Sequence, residues 1–360
     1  MSKPLKTASK KHRTGCACFS SSSAKDETEE MPNLVMVKNS PQGVADDKYS
    51  ENGSFFTMND DDIGDWIPGA RYDPDISFRM GETIPHSSSL KTESETSWSN
   101  ANHAVFNVRT GPDYPKQGLK APSMSDLYEP FGLDILRGDS VLSNVAPHLL
   151  FPPLPEFYDP ACGLPAVLVV NSQLPLAMPS LFSSSESDPG WSIVGYFKIR
   201  KETVEWAMKK NDPPPAISVL IRLLQKGYSE RSLSFKAIGM IHDLEKQDLP
   251  LMNLLTKYNG KPVLVTKSAQ FIFGSIPYPY LEIDYNVRQW SLIARSTLVQ
   301  LSSKLQSLTC HVGYLVEATL NEDLPERMLS ILTVHNVSID SAKHVHFDRI
   351  GAKSSQDSTI

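Results

Sequence analysis

The chain has 360 residues, 40% of them apolar and 21% charged, which is enough for one large domain or two small ones. A net charge of −6 argues against the basic surface of a general nucleic-acid binder, and four cysteines are too few for a disulfide scaffold in so long a chain. No uninterrupted apolar run reaches the ~18–20 residues that span a bilayer, and the basic N-terminus lacks the apolar core of a secretory signal.

Residues 1–62 read as a disordered tail. Lys3, Lys6, Lys10, Lys11 and Arg13 make its start purely basic, whereas residues 24–65 carry eleven acids against three lysines. Segregated charge with few large apolar side chains buries too little surface to offset chain entropy. Residues 63–97 read as a loop-rich lead-in, with Trp66 and Trp98 placed to pin its ends. Leu127–Leu136 has helical spacing, stopped by Gly138. Pro165–Val170 and Ile193–Ile199 are short apolar runs that suggest buried strands. Val204–Lys210 suggests a short helix. A better one follows, with Asp212 as cap, prolines 213–215 in the first turn, a face of Ile217, Leu220, Ile221 and Leu224, and Gly227 as stop.

Ser234–Ile241, Lys261–Lys267, Tyr278–Asp284 and Cys310–Ala318 read as further strands. Between the last two, Val287, Trp290, Ala294, Leu298, Leu301 and Leu305 form the cleanest amphipathic stripe in the chain, which predicts one helix over 287–306 with Trp290 in the core. Leu324–Leu329 suggests a helical turn leading into an edge strand, Ser330–Val337. The irregular interleaving predicts an α+β fold with a mainly antiparallel sheet, a single domain over 98–345, and a disordered C-terminus over 346–360.

The strong catalytic signatures are absent. Gly260-Lys261 is followed by Pro262, not by the hydroxyl residue of a phosphate loop, and there is no dinucleotide fingerprint, zinc-protease helix, nucleophile elbow or C-x-x-C pair. Cys16 and Cys18 beside a basic run suit acylation, because a lipid chain plus basic residues is a two-signal membrane anchor. A solvated, unmodified pair is the plainer reading. His344 and His346 with Asp348 put two imidazoles on one side of a short strand, which could start a metal site. A solvated edge is again the plainer reading, and no metal or other cofactor is expected. Cys310 and His311 face opposite ways on a strand and make no nucleophile–base pair. Glu282 and Asp284 share a strand face and could serve as acid and base or bind a cation. Two carboxylates facing solvent or pairing with a cation is the plain alternative, with Lys236 and Lys261 as possible partners or as an anion site.

The run Tyr280-Leu281-Glu282-Ile283-Asp284 closely resembles the signature of the C-terminal domain of the plant ENHANCED DISEASE RESISTANCE 2 proteins, a domain of unknown function. Further pieces fall in the family's order: Trp98, Phe106 to Arg109, Leu168 to Pro175, Leu220 to Gly227, Phe235 to Ile238, Asn259 to Pro262, and Leu324-Pro325-Glu326. The chain departs from the family at Tyr285-Asn286, where a second aspartate is usual, and in the polar-faced segment 287–306. Larger members carry pleckstrin-homology and START domains upstream, and the 97 residues before the match are too few for either. The resemblance transfers no catalytic residue.

These readings converge on a non-enzymatic cytoplasmic module acting at an endomembrane surface through lipid or a membrane-associated protein, with no nucleic-acid partner. Its lipid-anchor candidates are Cys16 and Cys18, and its binding-face candidates are Lys236, Lys261, Glu282 and Asp284. The alternative is a carrier of an apolar ligand in a helix-grip-like pocket beside the 287–306 helix; a third reading is an unfamiliar enzyme using Glu282 and Asp284. Because the domain is net acidic, membrane attachment is expected to rest on the basic first fifteen residues and the two cysteines. Oligomeric state is left open.

Overall fold

The computed structural model describes residues 66–90, 95–177, 190–209, 212–226 and 234–347. The predicted tail 1–62, with Cys16 and Cys18, lies outside these residues, as do Gly227 and Asp348. Fifteen strands are formed among the described residues: β1 (Ile67–Pro68), β2 (Ser97–Asn100), β3 (Asn107–Arg109), β4 (Lys120–Pro122), β5 (Tyr128–Gly138), β6 (Leu150–Phe151), β7 (Val167–Pro175), β8 (Gly190–Ile199), β9 (Phe235–Ile241), β10 (Pro262–Leu264), β11 (Ala269–Gly274), β12 (Tyr280–Asn286), β13 (Thr309–Val316), β14 (Ser330–His335) and β15 (Lys343–His344). Helices are α1 (Lys201–Met208), α2 (Pro215–Lys226), α3 (Met252–Tyr258) and α4 (Leu292–Ser302), besides one helical turn at Tyr114–Gln117.

The strands make a six-stranded sheet, order β11-β12-β7-β8-β5-β15, a five-stranded sheet, order β10-β9-β13-β14-β2, and two small ribbons. Pairing is antiparallel except for β12 with β7 and β15 with β5. The fold is α+β with mainly antiparallel sheets, as the interleaving predicts.

One apolar core joins the two large sheets. Phe235 of β9 and Tyr314 of β13 stack at 5.9 Å, and Phe197 of β8 meets Tyr314 edge-on at 6.0 Å. A Cβ on Gly195 of β8 would lie 2.9 Å from the Phe197 ring and 3.3 Å from Leu332 of β14, so only glycine lets the layers approach this closely. Helices α1 and α2 close the core with Val204, Ala207, Ile217, Leu220 and Leu223. The lead-in joins them: Phe78, Met80 and Ile84 are buried in the same core. At the other end Phe347 stacks on His148 at 4.6 Å, so packing continues two residues past 345.

Several elements differ from their sequence readings. Leu127–Leu136 is not a helix. It is most of β5, buried on both faces between β8 and β15, and a strand covered on both sides loses the period of two that would reveal it. Pro130 and Gly132 flank a register shift against β8, where proline is tolerated in a strand, and a Cβ on Gly132 would sit 2.7 Å from the Cα of Gly81. Strand β14 is not an edge: β2, from far upstream, pairs with its free side. The turn before it lies at Asn321–Asp323 instead of Leu324–Leu329.

The 287–306 helix is three pieces. The Asn286 side chain caps a 3-10 turn at Val287–Gln289, Ser291 caps α4 through the amide of Ala294, and a second 3-10 turn follows at Leu305–Ser307. Ser291, a capping residue inside the apolar stripe, breaks it. Helix α4 buries none of its residues fully, and Trp290 precedes it, half-buried.

Candidate functional site

Glu282 and Asp284 lie on one face of β12, but that face is closed. Both side chains are buried, and among the described residues their hydrogen-bond partners, apart from each other, are loop amides and uncharged side chains, so the plain reading of solvated or cation-paired carboxylates is corrected. Their partners come from the loop after β5. The amides of Val145 and Ala146 donate to the two Glu282 oxygens at 2.7 and 2.9 Å. The Ser143 hydroxyl and the Asn144 amide donate to one Asp284 oxygen at 2.5 and 2.9 Å. Asn171 of β7 donates its side-chain amide to the other at 3.0 Å and to the carbonyl of Leu142 at 2.9 Å. Asn144 holds φ at 55°, a left-handed turn that asparagine tolerates and that aims successive donors at the pair.

Burial, with Asp284 alongside, pushes the Glu282 carboxyl well above the ordinary glutamic-acid value. Burial also raises Asp284, against the hydrogen bonds from Glu282, Ser143, Asn144 and Asn171. Burial thus favours the protonated form of both carboxyls, and their engaged, enclosed oxygens offer no face to a substrate or cation.

Lys236 belongs to a separate cluster on β9. Its ammonium lies 2.8 Å from Glu317 and 3.8 Å from Glu326, and Arg109 of β3 reaches Glu317 at 2.5 Å. Glu326 also accepts from the amides of Arg109 and Ala318, both at 3.0 Å. Burial pushes the Lys236 ammonium down from its ordinary value, against its bond to Glu317 and the nearby carboxylates. A cavity of about 50 Å³ beside this cluster, lined partly by Arg109, Lys120, Lys236 and Glu326, has room for a few waters and none for a lipid chain. Helix α4 contributes nothing to its lining.

Thus the four binding-face candidates do not converge. Glu282 and Asp284 staple one loop, Lys236 neutralises two carboxylates in the other sheet, and only Lys261 is exposed. The partners that sequence reasoning missed, Ser143 and Glu317, carried no pattern that could have singled them out.

The surface around Lys261 has its own character. Between Asp248 and Glu317 the sequence contains two acids, Glu282 and Asp284, both buried, against Lys257, Lys261, Lys267, Arg288, Arg295 and Lys304. Arg288 is buried, while the four lysines are exposed. The same stretch exposes Leu251, Tyr258, Val263, Leu264, Leu292 and Ile293, with Ile293 at 68% and Leu264 at 58%. The region is held together at both ends of α4. Met252 and Leu255 of α3 pack on the same small apolar cluster as Leu301 and Leu305, and the Trp290 indole donates to the Ser268 hydroxyl at 2.9 Å.

Residues 98–338 match the family described as Protein ENHANCED DISEASE RESISTANCE 2, C-terminal. The chain belongs to that family. No curated protein and no solved structure matches it. The match begins inside β2 and ends at Ser338, covering all strands of both large sheets except β15. The resembling segments meet in space, as this family's domain is built here. Arg109, Lys236 and Glu326 come from three of them and form one ion cluster, and Asn171, Glu282 and Asp284 come from two others and form the loop staple. These residues hold the domain together. No helix among the described residues is long and apolar enough to cross a membrane.

Proposed function

We propose that this ENHANCED DISEASE RESISTANCE 2 C-terminal domain is a non-enzymatic module that docks on an anionic, cytoplasm-facing endomembrane surface through its region 249–308, whose two acids, Glu282 and Asp284, are both buried. The observation that carries the reading is the coincidence of exposed apolar side chains with exposed lysines and no exposed acid. Net charge alone suggested that the folded domain has little hold on such a surface; along the chain, however, the exposed charges of 249–308 are all basic. Each lysine near an anionic bilayer contributes about 1 kcal/mol at moderate salt, and each buried methylene of Ile293, Leu292 or Leu264 adds about 0.8 kcal/mol. Cys16, Cys18 and the basic first fifteen residues would then be a second anchor, additive to the first.

The test is co-sedimentation of the full chain with vesicles of phosphatidylcholine, alone or with phosphatidylserine. Pelleting is expected only with the anionic vesicles and should fade as salt rises. The double variant Leu264→Asp/Ile293→Asp should weaken it severely, also in a chain lacking residues 1–23. If the deletion alone abolishes pelleting, or the double variant pellets like the parent, the domain is not the docking element. A protein partner on the same face would survive as binding without vesicle dependence.

A further inference from the structure

We propose that Asp139, His344 and His346 form a binding site for one divalent transition-metal ion, with Zn²⁺ the best match to its ligands. The three residues meet across the edge of the six-stranded sheet. Asp139 follows the end of β5, and β15 pairs with β5 in parallel, His344 opposite Arg137. His344 and His346 are two apart and so share one side of the strand, while Val345 between them points into the core. The Nε2 of His344 lies 3.4 Å from one Asp139 oxygen, and the Nδ1 of His346 lies 3.1 Å from the other. All three candidate ligand atoms fall within 4.8 Å of one another.

Those separations are close to what a metal needs. Bonds of about 2.0–2.2 Å to His nitrogen and carboxylate oxygen, at tetrahedral angles, place ligand atoms about 3.3 Å apart. Two imidazoles and one carboxylate suit Zn²⁺ and its first-row neighbours, and poorly suit Ca²⁺ or Mg²⁺, which prefer all-oxygen shells. The backbone under the site is pinned on both sides. The Val345 amide donates to the Arg137 carbonyl at 2.8 Å, and Phe347 stacks on His148. The two imidazole centroids are therefore held 4.4 Å apart. Asp139 is largely exposed and free to rotate onto a shared ion, which leaves one coordination position open to water. Arg137, exposed and paired opposite His344, brings a positive charge to the same sheet edge.

His344 and His346 lie beyond the residues that match the family, whereas Asp139 lies within them. A bound ion would clip β15, the last described strand, to β5. Ligand that binds only the folded state stabilises it in proportion to the logarithm of its concentration over Kd.

The experiment uses the full chain in a Cys16→Ser/Cys18→Ser background, stripped with a chelator, and titrates Zn²⁺ by calorimetry. One equivalent should bind, and the melting temperature should rise with it. Asp139→Asn, His344→Ala and His346→Ala should each weaken binding at least about tenfold, since even indirect partners of a metal ligand cost that much. All three positions are partly or largely exposed, so the variants should melt like the parent when metal-free. If the parent binds no Zn²⁺, or the variants bind it within about twofold of the parent, the three residues are a pair of imidazole–carboxylate ion pairs and nothing more.

Discussion

Glu282 and Asp284 stand two apart on β12 and between them take up three consecutive backbone amides, Asn144, Val145 and Ala146, together with the Ser143 hydroxyl. A buried pair of carboxylates is thereby converted from a liability into the anchor of the loop that carries the chain from β5 to β6. Burial raises both carboxyls, so enclosing the two acids favours a proton on the pair.

That proton makes stability depend on pH in a definite direction. Glu282 has its folded value raised well above 4.5, so the folded state holds a proton that the unfolded state has released. The stabilising contribution is complete below the unfolded value and is lost as pH rises toward the folded one, with a slope of at most about 1.4 kcal/mol per pH unit. Urea midpoints from pH 5 to pH 8 should fall more steeply in the parent than in Glu282→Gln. The variant itself should lose about 1–3 kcal/mol at pH 5, because its amide cannot accept from both loop amides. Equal slopes in the two proteins would mean that the pair is fully ionised.

Lys236 should be among the most sensitive buried positions of the second sheet. Lys236→Met leaves Glu317 and Glu326 with Arg109 as their cation, and breaking a buried pair from one side costs about 3–5 kcal/mol. Adding Glu317→Gln should recover part of that loss, because the uncompensated charge is removed. A double-mutant cycle in urea reads the coupling, and strict additivity would place Lys236 outside the cluster.

Trp290 is half-buried, stacks on Tyr285 at 6.5 Å and donates to Ser268. Trp290→Ala should therefore cost about 2 kcal/mol, below the roughly 3–5 kcal/mol of a fully enclosed tryptophan. Ser268→Ala should cost about 1 kcal/mol through the lost indole bond. Equilibrium unfolding distinguishes these figures, and a loss of 4 kcal/mol or more at Trp290 would show that the ring is fully enclosed in solution.

Burial pushes the Cys310 thiol up to about 12. At pH 8 about one in ten thousand such thiols is ionised, against roughly a quarter of ordinary ones. Alkylation of Cys310 by iodoacetamide should be on the order of a thousandfold slower in the folded chain than in urea, read by peptide mass mapping. Comparable rates would place the thiol at the surface.

The amino-acid sequence by itself determined the family segments and the apolar runs of β7, β8, β9, β12 and β13, because their local composition allows only a buried strand. It also determined α1 and α2, whose apolar faces, with prolines at the start of α2, are local signals. What tertiary structure alone decided was the surroundings of those segments. Leu127–Leu136 became a strand because neighbours cover both its faces. The amphipathic 287–306 run was divided at Ser291 and left half-exposed, because its neighbours engage its two ends, Trp290 at one and Leu301 and Leu305 at the other, and leave Leu292 and Ile293 uncovered. Glu282 and Asp284 were visible as a pair, but their loop donors lie some 140 residues earlier in the chain. His344 and His346 were visible too, while Asp139 arrives about 200 residues from them by strand pairing. Whether a carboxylate is solvated, shared or ligating depends on which donors the fold delivers to it, and donors that distant leave no trace in the residues around it.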